Sequence, residues 1–237
     1  MPLRKNIAFS YRFSGKFSSL ARTFRIWTAN SLVSASYFRN LGRKIAKIAK
    51  VSQTAPYRHF DSKEHLLADV ATLGFENFSL EMSKNKETDN PADDLVRCGV
   101  TYIEFGLNNE HVIDLMFNYP IKKTDYPELL ASANRAFDML LQRSKYLHQS
   151  NVDSASASLS APLISISLHA YVHGLLSILQ MNQKIDNPDE SEFAKASSML
   201  RANLEKVLGT FINNLNLSSQ QYVQETGWEL PGKFTST

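Results

Sequence analysis

The sequence of 237 residues contains a single cysteine, Cys98, with only nine glycines and eight prolines. One cysteine excludes an intramolecular disulfide framework and any zinc site built from several thiolates. The low glycine and proline content excludes a collagen-like chain or one dominated by linkers. The length allows one or two domains with a hydrophobic core.

Acidic residues are absent from the first 60 positions, which carry twelve Lys and Arg. The remaining 177 residues hold 14 Lys and Arg and all 23 Asp and Glu, so a basic front precedes an acidic body. This asymmetry predicts that a polyanion such as nucleic acid binds at the N-terminal end.

Long uninterrupted apolar runs are also missing. The most apolar segment, 161–181, is interrupted by Ser, His and Gln, which favours a buried or interface helix over a membrane span. The N-terminus has no secretory apolar core, and we predict a cytoplasmic protein that does not bind membranes. Residues 1–25 are rich in Arg and Ser and free of acid, which is also typical of an organelle transit peptide.

Apolar residues recur at helical spacing along nearly the whole chain, which predicts an all-α fold. The pattern divides the chain into a basic arm (1–16), a helix-turn-helix domain (17–63), a larger helical domain (64–217) and a polar tail (218–237).

Capping signals and periodicity place the helices of the larger domain. Asp61 followed by Glu64 predicts a capping box, and Asn90-Pro91 predicts another helix start. The later helices are predicted near 91–107, 110–118, 127–148, 160–182 and 189–215.

Residues 43–67 carry the most informative pattern. Two short helices with a tight break between them, and Ser52 as a cap of the second, predict a helix-turn-helix. The second helix is left to face outward, and a major groove of ~12 Å admits one such helix. Its exposed residues are predicted to be Gln53, Thr54, Ala55, Arg58 and His59.

The residue types on and beside this helix are ones that contact the edges of DNA bases in the major groove. Gln53 pairs with adenine, Arg43 or Arg58 with guanine, and Ala55 touches a thymine methyl.

Three further side chains suit phosphates. Tyr57, His59 and Lys63 donate hydrogen bonds that fix the register of the protein on DNA. Lys63 also lies in the first turn of the next predicted helix, where free backbone N–H groups attract phosphate.

The motif resembles the DNA-binding domain of TetR-type transcriptional regulators over about residues 24–67. The residues that carry the resemblance are Ile45-Ala46, Val51-Ser52, Tyr57-Arg58-His59-Phe60, Lys63-Glu64 and Leu66-Leu67. Two weaker matches, Leu115-Met116-Phe117 and Ala170-Tyr171-Val172-His173-Gly174, are similar to the C-terminal domain of one subgroup with a His-Gly motif in its penultimate helix.

The resemblance implies an all-helical homodimer. Its N-terminal helices bind a palindromic double-stranded operator, and its C-terminal domain binds an unknown small-molecule inducer and dimerises. Arg43, Gln53, Thr54 and Ala55 then face bases. Tyr57, His59 and Lys63 contact the DNA backbone.

Aromatic and Met residues at helical spacing are candidates for the inducer pocket, although such residues usually form core. The candidates are Tyr102, Phe105, Met116, Phe117, Phe137, Tyr171 and His173.

Motifs for catalysis are missing from the sequence: it has no Gly-rich phosphate loop, no Ser/His/Asp arrangement and no metal-ligand cluster. His169 and His173 have metal-binding spacing, but core or dimer-face positions suit them better. We therefore predict neither an enzyme, nor a cofactor, nor a metal site. An α-helical small-molecule-binding protein or enzyme without a DNA role, and a non-specific nucleic-acid binder, remain as alternatives.

Overall fold

The computed structural model describes residues 62–150 and 159–215, and every regular element in these ranges is helical, with no strand. The all-α prediction is confirmed for this part of the chain. The basic arm, the helix-turn-helix motif up to residue 61 and the polar tail lie outside the described residues. The α-helices are α1 Lys63–Ser83, α2 Pro91–Asn108, α3 Glu110–Phe117, α4 Pro127–Gln149, α5 Ala161–Asn182, α6 Glu192–Ala202 and α7 Leu204–Leu215.

Local capping explains where the first two helices begin. The Asn90 side chain accepts hydrogen bonds from the backbone N–H groups of Ala92 and Asp93, as the sequence predicts. At the start of α1 the cap is Ser62, whose Oγ accepts from the N–H of His65 at 3.0 Å. The predicted capping box starting at Asp61 is therefore wrong, because the serine one residue later takes that role.

The predicted helix over 189–215 is also wrong as a single element. A 3-10 segment, Pro188–Glu190, precedes α6, and Ser191 caps α6 by accepting from the N–H of Ala194. Asn203 then separates α6 from α7, because its backbone leaves the helical conformation, with φ −118° and ψ 24°. Its side-chain amide donates to the carbonyl of Met199 at 2.8 Å.

Helix α2 lies at the centre of the bundle, where it contacts α1, α3, α4, α5 and α7. Its side chains Leu95 and Ile103 are completely buried. Helix α1 packs most extensively along α4. The core is therefore assembled around two helix groups, α1 with α4 and α2 with α5 and α7.

Gly106 allows α2 and α5 to approach closely. A Cβ atom at this position would overlap the side chain of Leu176, which is itself buried. The amide of Gln180 on α5 also donates to the carbonyl of Gly106 at 3.4 Å. At this crossing the backbone of α2 therefore contacts the side chains of α5 directly.

Helix α5 is unusual in composition, because its 22 residues include no Asp, Glu, Lys or Arg. Among the described helices it alone is long and apolar enough to cross a membrane, with a mean hydropathy of 1.5. One side of it, including Ile164, Leu168 and Leu176, is buried in the bundle. Core helices of soluble proteins have the same length and composition.

Candidate functional site

A cavity of about 200 Å³ lies between α1, α2, α4 and α5. Helix α1 contributes Phe75, Phe78 and Met82, which are spaced three and four residues apart and therefore share one face. Phe117, the last residue of α3, lines it as well. None of the described lining residues is Asp, Glu, Lys or Arg, so the cavity is apolar and uncharged.

Small side chains on α4 create the space. Ala133 and Ala136 line the cavity one turn apart, where larger residues would fill it. Phe137 on the same helix and Ile166 on α5 also line it, and both are exposed at the protein surface. These two side chains therefore mark the side on which the cavity meets solvent.

The aromatic rings of the cavity contact one another, mostly edge to face and, for His169 with Phe117, at a tilt. The ring of Phe78 lies 5.5 Å from that of Tyr102, and Phe75 lies 5.4 Å from Phe117, measured between centroids. The His169 ring lies 5.1 Å from Phe117 and 5.6 Å from Tyr102. Such arrangements are favourable because the positive edge of one ring meets the negative face of the next.

Tyr102 connects the cavity to the second histidine of α5. Its hydroxyl oxygen lies 2.8 Å from Nδ1 of His173. Burial raises the pKa of the Tyr102 phenol, so the hydroxyl keeps its proton at neutral pH. Which of the two groups donates in this hydrogen bond depends on the tautomer of His173.

His169 projects a polar group into these apolar surroundings. Its ring lies 5.9 Å from that of His173, and no described residue hydrogen-bonds to either of its nitrogens. Burial lowers the pKa of His169 below its ordinary value of 6.5, and the neighbouring His173 lowers it further. His169 is therefore neutral at pH 7 and has one donor and one acceptor free.

Cys98 lines the cavity as a thiol. Its side chain is buried, and burial raises its pKa to about 11. Because the thiolate is the nucleophilic form, this residue is inert at neutral pH. In the part of the chain that the structure describes, no three His, Cys, Asp or Glu side chains are grouped to hold a metal ion.

Three of the predicted ligand-binding residues, Tyr102, Phe117 and Phe137, line the cavity. His173 does not line the cavity itself, but it contacts three residues that do: it hydrogen-bonds to Tyr102, and its ring lies against those of Phe117 and His169. Tyr171 points elsewhere and stacks on Phe211 of α7, with 3.8 Å between ring centroids.

The two remaining candidates are core residues. Phe105 packs edge to face on Phe78, and Met116 is fully buried where α3 meets Gly74 of α1. Neither of the two lines the cavity.

Sequence reasoning did not select the alanines of α4 or His169 as lining residues. Alanines at helical spacing are common in tightly packed helices, so they do not indicate whether the space beside them is filled by a neighbouring helix. His169 did carry a signal, because a histidine on a charge-free apolar helix must find a partner or a space for its nitrogens.

All the predicted DNA-contacting residues except Lys63 lie before the first described helix. Outside the described residues are Arg43, Ser52, Gln53, Thr54, Ala55, Tyr57, Arg58 and His59. Lys63 is the first residue of α1. These assignments stay predictions.

No family model and no curated protein matches the sequence. A solved structure of a protein of unknown function from a Rhodococcus species is similar in fold, with a TM-score of 0.59 and 16% identity over 87% of this chain and 98% of that chain. A TetR family transcriptional regulator, PfmR from Thermus thermophilus, matches with a TM-score of 0.46 and 16% identity over 84% of this chain and 96% of that chain. The first similarity shows a shared helical fold alone, and the second is too distant to support an argument.

The depressed pKa of His169 predicts a pH dependence of stability. The unfolded chain takes up a proton near pH 6.5, whereas the folded protein does so only at lower pH, so acidification favours unfolding in this window. The stabilising effect is complete above about pH 6.5 and is lost as pH falls toward the folded-state pKa.

Urea unfolding of the wild type and of His169→Gln, followed from about pH 8 to about pH 5, measures this contribution. We expect the free energy of unfolding of the wild type to fall more steeply than that of the variant below about pH 6.5. Parallel curves for the two proteins would show that His169 titrates normally.

Proposed function

We propose that this protein is a sequence-specific DNA-binding transcriptional regulator, a repressor that leaves a palindromic operator when a small molecule binds. The position of α1 carries the proposal. This helix begins at Lys63, within the motif of residues 43–67, and it contributes Phe75, Phe78 and Met82 to the cavity. A ligand in the cavity therefore contacts the helix that follows the DNA-reading segment.

The proposed reading helix contacts bases through its outward residues. Gln53 pairs with adenine, Thr54 and Ala55 contact neighbouring bases, and Arg43 and Arg58 are placed for guanine.

Phosphate contacts fix the register of this helix. Tyr57, His59 and Lys63 donate to the DNA backbone, and Ser52 caps the reading helix. The twelve Lys and Arg of the first 60 residues add sequence-independent attraction to DNA.

Release from DNA follows from differential affinity. A ligand shifts the population toward the conformation that it binds better, and the size of the shift is limited by the difference in affinity. Because α1 walls the cavity, the two conformations differ in the tilt of this helix. In a dimer, the two reading helices must be about 34–36 Å apart to enter major grooves one turn of DNA apart. A changed tilt of α1 alters this spacing.

The exposed face of α5 supports a homodimer. Leu163, Ile166, Ala170, Gly174 and Met181 are all exposed and recur at three- and four-residue steps, or multiples of them, on one side of this charge-free helix. An uncharged apolar stripe of this kind suits a partner helix. A second copy of the chain offers the same stripe across a two-fold axis, as a palindromic operator requires.

Substitutions in the motif separate base reading from backbone contact. We expect Lys63→Ala to weaken binding to all DNA sequences and to reduce the salt slope by about one counterion, because one phosphate contact is lost. Gln53→Ala is expected to relax the base preference at one position of the site. Selection of DNA from a random pool, followed by gel-shift titration at several salt concentrations, measures both effects.

Lys145→Ala is the matched control for the lysine, since Lys145 is exposed on α4 within the acidic body. It should leave affinity and salt slope unchanged. Equal behaviour of all three variants and the wild type would count against the assignment of the motif, and protection without a discrete dyad-symmetric site would favour the non-specific binder.

Gly174→Arg tests the dimer. A Cβ at Gly174 meets no atom within 4 Å in the protomer, so the variant should fold, but it brings two like charges together at the α5 face. Size-exclusion chromatography with light scattering should give a dimer for the wild type and a monomer for this variant. Ala131→Arg, on an exposed position of α4, should remain dimeric. A monomeric wild type, or a dimeric Gly174→Arg, would refute this interface.

The cavity by itself also suits the second candidate, an α-helical small-molecule-binding protein with no DNA role. The DNA selection distinguishes the two, because this alternative predicts no enriched sequence. We further propose a cytoplasmic location and no catalytic activity, since DNA and a diffusible ligand are the only partners the proposal needs.

A further inference from the structure

The size of the cavity limits its ligand. An engineered cavity of about 150 Å³ lined by aliphatic and aromatic side chains holds one benzene molecule. Pockets for drug-sized ligands span roughly 300–1,000 Å³. At about 200 Å³, the cavity between α1, α2, α4 and α5 accommodates one ring with a short substituent.

The chemistry of the lining excludes a charged ligand. Five aromatic side chains surround the space, and the described lining carries no charged group. Arg143 is the buried cation of α4 and does not line the cavity, since its guanidinium donates to the backbone carbonyls of Asn85 and Met139. Its Nε has no partner among the described residues, and its charge acts on the Cys98 thiol, which does line the cavity. Because no charged group lies on the lining itself, an ionised ligand would be desolvated without an ion pair, which is costly.

His169 is the polar side chain of the lining with the most hydrogen-bonding capacity unused. The Tyr102 hydroxyl already bonds to His173, whereas both ring nitrogens of His169 lack a hydrogen bond from any described residue. A neutral imidazole donates from one nitrogen and accepts at the other. It therefore hydrogen-bonds to a hydroxyl or to a carbonyl group, whereas a purely hydrocarbon ligand makes no hydrogen bond with it.

We propose that the cavity binds an uncharged, single-ring aromatic compound with one hydroxyl or carbonyl substituent, which hydrogen-bonds to His169 while its ring packs among Phe75, Phe78 and Phe117. The ligand enters beside Phe137, the exposed residue that α4 contributes to the lining. This inference rests on the proposed function only in making the compound the inducer, and binding itself involves no DNA.

Three probes that differ in one group test the ligand class on the full chain: benzyl alcohol, toluene and benzoate. Calorimetric titration at about pH 7.5 keeps His169 neutral and benzoate ionised. Benzyl alcohol is expected to bind about tenfold more tightly than toluene, the value of one hydrogen bond, and about a hundredfold more tightly than benzoate. Benzoate binding as tightly as benzyl alcohol, or no binding of any probe, would overturn the proposal.

Two variants locate the binding. His169→Leu should abolish the preference for benzyl alcohol over toluene while both still bind. Ala133→Leu fills the cavity and should abolish binding of both, whereas Ala131→Leu, on the exposed side of the same helix, should leave it unchanged. Unchanged binding to Ala133→Leu, or an unchanged preference in His169→Leu, would contradict the site.

The probe titration and the DNA selection fail independently. If the probes bind and no DNA is enriched, the ligand class is supported and the regulator function is refuted. If DNA is enriched and the probes do not bind, the regulator function is supported and the ligand class is refuted.

Discussion

The buried side chains of α1 serve two purposes. Toward its start, Leu67 and Val70 are buried against the rest of the bundle, and toward its end Phe75, Phe78 and Met82 line the cavity. A tightly packed interior transmits a displacement instead of absorbing it. The proposed regulation depends on this packing, because it requires a ligand in the cavity to change the tilt of α1.

The polar groups of the cavity are arranged so that each stays neutral. Burial keeps the Tyr102 phenol and the Cys98 thiol protonated, and it keeps the His169 imidazole unprotonated. Tyr102 and His173 hydrogen-bond to each other, whereas His169 has no hydrogen bond with a described residue. A ligand of this uncharged site is therefore selected mainly by its shape, and in addition by one hydrogen bond to His169.

The sequence predicted the helices well where capping chemistry is local. The Asn90-Pro91 start of α2 is such a case, since the Asn90 side chain caps this helix. The bounds of α3 to α5 follow from periodicity instead, and their N-cap residues make no side-chain hydrogen bond. The break at Asn203 was missed because periodicity continues across it, and only the backbone conformation of this residue reveals it. The cavity was harder still, since Phe105 and Phe117 have similar patterns along the chain and differ only in which neighbour helix they face. The space beside Ala133 and Ala136 depends on side chains from several helices, so no single stretch of sequence predicts it.

The most direct test of the link through α1 is the affinity of benzyl alcohol for the free protein and for the protein saturated with its selected operator. Coupling between two sites is reciprocal, so a ligand that weakens DNA binding must itself bind the DNA complex more weakly by the same factor. We predict a lower affinity for the complex and an equal loss of operator affinity when benzyl alcohol saturates the protein. Equal affinities of benzyl alcohol for the free and the DNA-bound protein would show that the cavity and the reading helix are not coupled.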